Sequence, residues 1–223
     1  GGEPKKVSRL IVSVPRGLAL KYIVEEHGLP VKIETREEGD RTVHVFQVND
    51  TEGFLSEPLM PDTSRIAPRV MCALENTWAN VADDYRQRTG VMAAAAKNDP
   101  ELKKIVETVV KTGVTAEEKA RSLFLWVGKE ISHLDIPPYL FTHQPVDPVE
   151  VVKARQGTLF DKSFLYHVLL DMAGVKNNLL LVCPVDYGEW RSEIPNLRQG
   201  THLAVELPDM TGGMLIFPFE KAK

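Results

Sequence analysis

Five side chains in this 223-residue chain are singled out as candidates for covalent chemistry. They are the thiols of Cys72 and Cys183, the hydroxyls of Thr158 and Ser163 at a helix start, and the imidazole of His202, which opens an alternating apolar stretch. A hydroxyl nucleophile needs a strong base and an oriented partner, whereas a thiol needs only to ionise. Proximity to a helix N-terminus promotes that ionisation, and apolar burial opposes it. Cys183 closes the run Leu179-Leu180-Leu181-Val182, a strand-like setting that keeps a thiol protonated. It is the better nucleophile in chemistry and the worse in position. His27, His44, His133, His143 and His167 show no metal-ligand spacing, and two isolated cysteines make neither a zinc site nor a disulfide framework. No metal and no cofactor is expected.

The elements that must carry these groups can be read from periodicity. Gln156-Gly157 ends one segment, a polar turn follows, and an apolar helix beginning near Thr158 or Leu159 runs until Gly174 stops it. Leu179–Pro184 reads as a buried strand, Thr201–Leu207 alternates like a second, and Pro208 to Gly213 turns the chain into a third from Met214 to Phe219. Upstream, Asn76 or Thr77 caps a helix bearing Trp78, Val81, Ala82 and Tyr85, which Gly90 is expected to end. Asn98-Asp99-Pro100 opens a second helix that runs to Gly113, and Thr115-Ala116-Glu117-Glu118 has capping-box form ahead of the stripe Ala120, Leu123, Phe124, Val127 and Ile131. Asp147-Pro148 starts a short helix through Ala154.

The first fifty residues differ in character. Lys6–Val14, Ala19–Val24, Val31–Thr35 and Thr42–Val48 alternate as strands, separated by glycine, proline or acidic clusters. Glu57 to Met60 with Pro61, then Pro68-Arg69-Val70, is too proline-rich for helix and reads as an extended crossing. The expectation is an α+β chain, with an antiparallel β-rich segment at 1–70 and a domain of helices packed on an antiparallel sheet at 71–223.

Composition excludes some functions. A net charge of −4 with scattered basic residues gives no footprint for nucleic acid. No run of about 18 apolar residues marks a membrane span, and no signal segment opens the chain. The Gly1-Gly2 start and the Lys221-Ala222-Lys223 end read as those of a trimmed piece, so the missing signal says little about compartment.

Gly157, Asp161, Lys162 and Ser163 stand in register with the glycine, aspartate, lysine and small residue of the nucleophile helix in the bacterial transglutaminase-like, papain-related superfamily. The chain resembles that superfamily in element order as well. Thr201-His202-Leu203-Ala204-Val205 is similar to its histidine strand, Pro218 falls where an Asp-Pro-Thr motif has proline, and Trp78 to Tyr85 resembles a segment preceding the domain in a subgroup with a β-rich domain ahead of it. The resemblance implies a Cys-His-Asp triad at Leu159, His202 and Phe217, and so a degenerate one. Leucine has no ionisable group or lone pair with which to attack a carbonyl. Phenylalanine at the aspartate position cannot fix an imidazole tautomer.

Each position has a plain alternative. Leu159 also fits as a core leucine, His202 as a half-buried strand histidine, and Tyr187 and Trp190, a lip over the cleft on the first reading, as loop packing. The resemblance implies a catalytically inactive domain that binds a peptide, glycan or protein through a cleft containing Thr158, Leu159, Trp190, His202 and Phe217. The competing expectations are a cysteine hydrolase or acyl transferase using Cys183, and a structural spacer in a longer envelope protein. Relatives with this domain pair are often exported, which implies a bacterial envelope or periplasmic setting.

Overall fold

Alternating β-branched and polar residues make antiparallel ribbons at the start of the chain. The computed structural model describes residues 3–53, 57–61, 63–74, 76–136, 144–184, 188–210 and 213–216. The chain forms two compact units, one of residues 1–81 with 184–199, the other of 82–183 with 200–223. The loop segment 184–199 belongs to the first unit, although it lies far along the chain from residues 1–81.

The first unit holds β1 (Lys5–Pro15), β2 (Leu20–Glu25), β3 (Lys32–Glu38), β4 (Arg41–Thr51) and β5 (Arg69–Leu74). β4 lies between β1 and β3 in an antiparallel sheet, with Lys5 opposite Thr51 and Pro15 opposite Arg41. As the central strand it carries the buried Val43, Val45, Phe46 and Val48, while Val7, Leu10 and Ile11 on the edge strand β1 stay exposed. β2 leaves this sheet and pairs with β5, Leu20 opposite Leu74 and Glu25 opposite Arg69. The expected crossing is therefore corrected at its end, where Arg69-Val70 begins a paired strand. Pro68, which has no N–H to give a ladder, stands just before it.

The second unit is built on helices. α1 (Trp78–Ala96), whose first four residues belong to the first unit, starts where the Thr77 hydroxyl accepts from the Asn80 N–H at 3.2 Å. It does not end at Gly90. The following Met92 and the run Ala93–Ala96 favour helix strongly enough to carry it about a turn and a half further, against the roughly 1 kcal/mol an interior glycine costs. α2 (Pro100–Val109) is capped by Asp99, whose carboxylate accepts from the Glu101 and Leu102 N–H groups. α3 (Ala116–Glu130) begins with the expected capping box of Thr115 and Glu118, and the side chains of Ala120, Leu123, Val127 and Ile131 are buried. A two-residue parallel pairing follows between β6 (Ser132–His133) and β7 (Gln156–Gly157), with α4 (Pro148–Ala154) between them in sequence.

α5 (Leu159–Met172) is the axis of this unit. Phe164, Leu165, Val168, Leu169 and Leu170 are buried among Leu123, Val127, Ile131, Val151 and Val152 from the helices and Val205 and Leu207 from the sheet. A helix apolar all round is one enclosed all round. Fully burying each such side chain stabilises by about 1.5–3 kcal/mol. Beyond Gly174, β8 (Asn178–Val182), β9 (His202–Leu207) and β10 (Met214–Ile216) form an antiparallel sheet in the order β10-β9-β8. The expected fold class is the observed one, mixed α+β with antiparallel sheets. Among the described residues no helix is long and apolar enough to cross a membrane.

Candidate functional site

The start of α5 is held by buried polar groups that satisfy one another. Thr158, the N-cap, accepts from the Asp161 N–H at 3.3 Å through its hydroxyl. Asp161 answers with one carboxylate oxygen, which accepts from the Thr158 N–H at 2.8 Å and the Thr158 hydroxyl at 2.7 Å. Its other oxygen accepts from the Val146 N–H at 2.7 Å, tying the chain before α4 to the same point. Thr158 and Asp161 are buried, so these bonds replace water that neither group can reach.

Two neighbours extend the frame. Lys162, 3% exposed, donates from Nζ to the Ile131 carbonyl at 2.8 Å, and burial lowers its pKa. Ser163 is fully buried, and its Oγ lies 2.7 Å from the Leu159 carbonyl and 2.9 Å from the Leu203 carbonyl. One hydroxyl thus links the first turn of α5 to β9 at the residue after His202. Gly157 is required by close approach: a Cβ there would lie 3.0 Å from Asp161 Cβ and 3.2 Å from Val151 Cγ1. The residues whose register suggested a nucleophile helix therefore share a structural task, which is to seat the start of that helix.

His202 opens β9, buried to 8% exposure, with Nδ1 2.8 Å from the Thr201 hydroxyl oxygen. The chain enters the strand through Gly200, where a Cβ would collide with the Leu181 side chain. Alternation sets His202 on one face of the sheet with Ala204 and Glu206, and Val205 and Leu207 on the other. Val182 is the cross-strand partner of His202, so Cys183 is the next residue along, half-buried and in reduced form.

The other expected site residues are distributed as follows. Thr158 and half-buried Leu159 stand at the head of α5, one Ser163 bridge from β9. Trp190 belongs to the first unit, where its ring stacks on Trp78 at 4.8 Å between centroids, and the Trp78 indole N–H donates to the Ser192 carbonyl at 2.6 Å. Phe217, with Pro218 and Tyr187, lies outside the described residues, as does His143. His167 on α5 sits 2.5 Å through Nδ1 from the Asn177 side-chain oxygen and stacks on Phe164. Among the described residues no group of three or more His, Cys, Asp or Glu is arranged to hold a metal ion.

Sequence reading missed the carboxylate of Asp161 as the hub of this corner. The signal was present: Thr158-Leu159-Phe160-Asp161 has the spacing of a capping box, with aspartate in place of glutamate. The bonds to Val146 and Ile131 carried no signal, because they join residues 15 and 31 positions apart. Burial pushes the hydroxyl of Tyr85 on α1 up to about 12, with the Arg88 charge opposing that and the Asp161 charge adding a little to it.

No family model and no curated protein matches the chain. Among solved structures, a crystal structure described as that of a "putative protease" from Parabacteroides distasonis shares the fold, with a TM-score of 0.71 at 18% identity. The match covers 92% of this chain and 39% of that one, so this chain spans well under half the length of its structural neighbour.

Proposed function

We propose that the second unit is a transglutaminase-like, papain-related domain whose nucleophile position is occupied by Leu159, and that it binds a peptide or glycan at the head of α5 without cleaving it. The observation that carries this reading is the combination of a fully satisfied frame with an inert residue inside it. Gly157, Thr158, Asp161, Lys162 and Ser163 hold a helix N-terminus against the strand that begins at His202, and the side chain at 159 has no group able to attack a carbonyl. The shared fold with a protein described as a protease supports the ancestry and says nothing of activity. A bacterial envelope setting belongs to the same reading and rests on the resemblance alone.

The competing enzyme reading uses Cys183. It follows the strand partner of His202, and if it continues β8 its thiol falls on the face away from that imidazole. The test is to incubate the protein with a cysteine-directed active-site probe and a fluorogenic peptide library. The expected result is no turnover and no rapid labelling. Efficient peptide hydrolysis that Cys183→Ser abolishes would overturn the proposal in favour of the thiol. Peptide or glycan fragments that raise the thermal midpoint without being consumed would separate a binding domain from a spacer.

A further inference from the structure

A polar cavity of about 290 Å³ lies in the first unit, lined by Glu25, His27, Arg65, Arg69, Glu189 and Arg191. We propose that it is a binding site for the oxyanion of a small molecule, a carboxylate or phosphate group, gripped by Arg65, Arg69 and Arg191. The inference stands independently of the reading of α5.

Glu25 is the brace of the site. It ends β2 directly opposite Arg69, the first residue of β5, and its side chain is only 13% exposed. One carboxylate oxygen accepts from Arg69 Nε at 3.0 Å and is 3.0 Å from Arg69 Nη2; the other accepts from Arg191 Nε at 2.9 Å and Nη2 at 2.6 Å. Each guanidinium has five N–H donors in a rigid fork, so two directed at Glu25 leave the far edge of the plane uncommitted to it. The brace thus fixes two guanidiniums in place before any ligand arrives, which removes much of the ordering cost of binding.

Charge points the same way. Three guanidiniums face two carboxylates, so the lining is positive even with a neutral His27, whose Nε2 is 3.7 Å from Glu25. Glu189 reaches Arg191 Nη2 at 3.1 Å, but its side chain is 62% exposed and therefore strongly screened. Arg65 makes no ion pair with a carboxylate among the described residues. Glu25 is the anion shared by Arg69 and Arg191, so the guanidinium left over is that of Arg65, and planar forks suit bidentate capture of a carboxylate or phosphate. The cavity is at the small end of ligand pockets and suits a small molecule.

The test is arginine side-chain NMR of the intact chain, following the Nε–Hε resonances of Arg69 and Arg191. Sodium phosphate and sodium glucuronate are titrated separately against sodium chloride at matched ionic strength. Saturable shifts are expected, with the affinity weakened about tenfold in Arg65→Gln, the loss anticipated for one charge-assisted bond. Saturation by phosphate alone assigns a phosphate ligand, by glucuronate alone a carboxylate, and by both a general oxyanion site. Shifts that do not saturate with either probe, or that Arg65→Gln leaves unchanged, would overturn the proposal.

Discussion

Asp161 carries more of the local structure than any other residue at the head of α5, because one carboxylate serves three donors on two segments of chain. Asp161→Ala should lower stability by about 2–4 kcal/mol, since the Thr158 N–H and hydroxyl and the Val146 N–H all lose their acceptor. Asp161→Asn keeps one acceptor oxygen and should cost less; midpoints of chemical denaturation at neutral pH measure both. Leu159 is the opposite case, a half-buried residue whose side chain takes no part in that hydrogen-bonded frame. Leu159→Cys should fold, because the frame around it is untouched, yet show no thiol-dependent peptide hydrolysis. A nucleophile without an oriented base and acid partner is incomplete, and Phe217 stands where the resemblance implies the carboxylate. Hydrolysis by the single variant in a fluorogenic assay would mean that His202 is already oriented by another group.

At the scale of elements, α1 tests how far local propensity governs. It passes through Gly90 without a positive φ, and nothing lies within 4 Å of where a Cβ would be. Gly90→Ala should therefore stabilise by roughly 0.5–1 kcal/mol, by restricting the unfolded chain and removing a weak helix former. A rise in the thermal midpoint is the readout, and a fall would mean that this part of α1 packs more tightly than its exposure indicates. α5 ends on a paired cap, the Gly174 N–H donating to the Asp171 carbonyl and the Val175 N–H to that of Leu170, so its limits are set at both ends by hydrogen bonds local in sequence. That locality is why the start near Thr158 and the stop at Gly174 were legible, and why the capping box of α3 was too. The passage through Gly90 was not legible, because the residues that carry the helix onward lie beyond the glycine.

At the scale of the whole molecule, the first unit's stability should depend on pH through Glu25. Burial raises its pKa, but the guanidiniums of Arg191 and Arg69 outweigh burial, and the folded value lies below the ordinary 4.5. A carboxyl with a depressed folded pKa contributes stability that is fully present above the unfolded value and is lost as pH falls through the folded one. Unfolding midpoints should therefore fall more steeply between about pH 5 and pH 3 in the native chain than in Glu25→Gln, which has no such group to titrate. Equal slopes would show that solvent already screens the cluster.

By itself the sequence determined the α+β class, the strands of the first fifty residues and the helix caps. All of these depend on periodicity or on hydrogen bonds spanning a few residues. Tertiary structure alone decided that β2 pairs with β5, that Trp190 stacks on Trp78, and that one serine hydroxyl joins α5 to β9. It alone also brought Arg191 to Glu25, 166 positions away. Such pairings leave no periodic trace, because their partners are chosen by which surfaces meet after the elements have formed, and the chain between them can vary in length at little entropic cost.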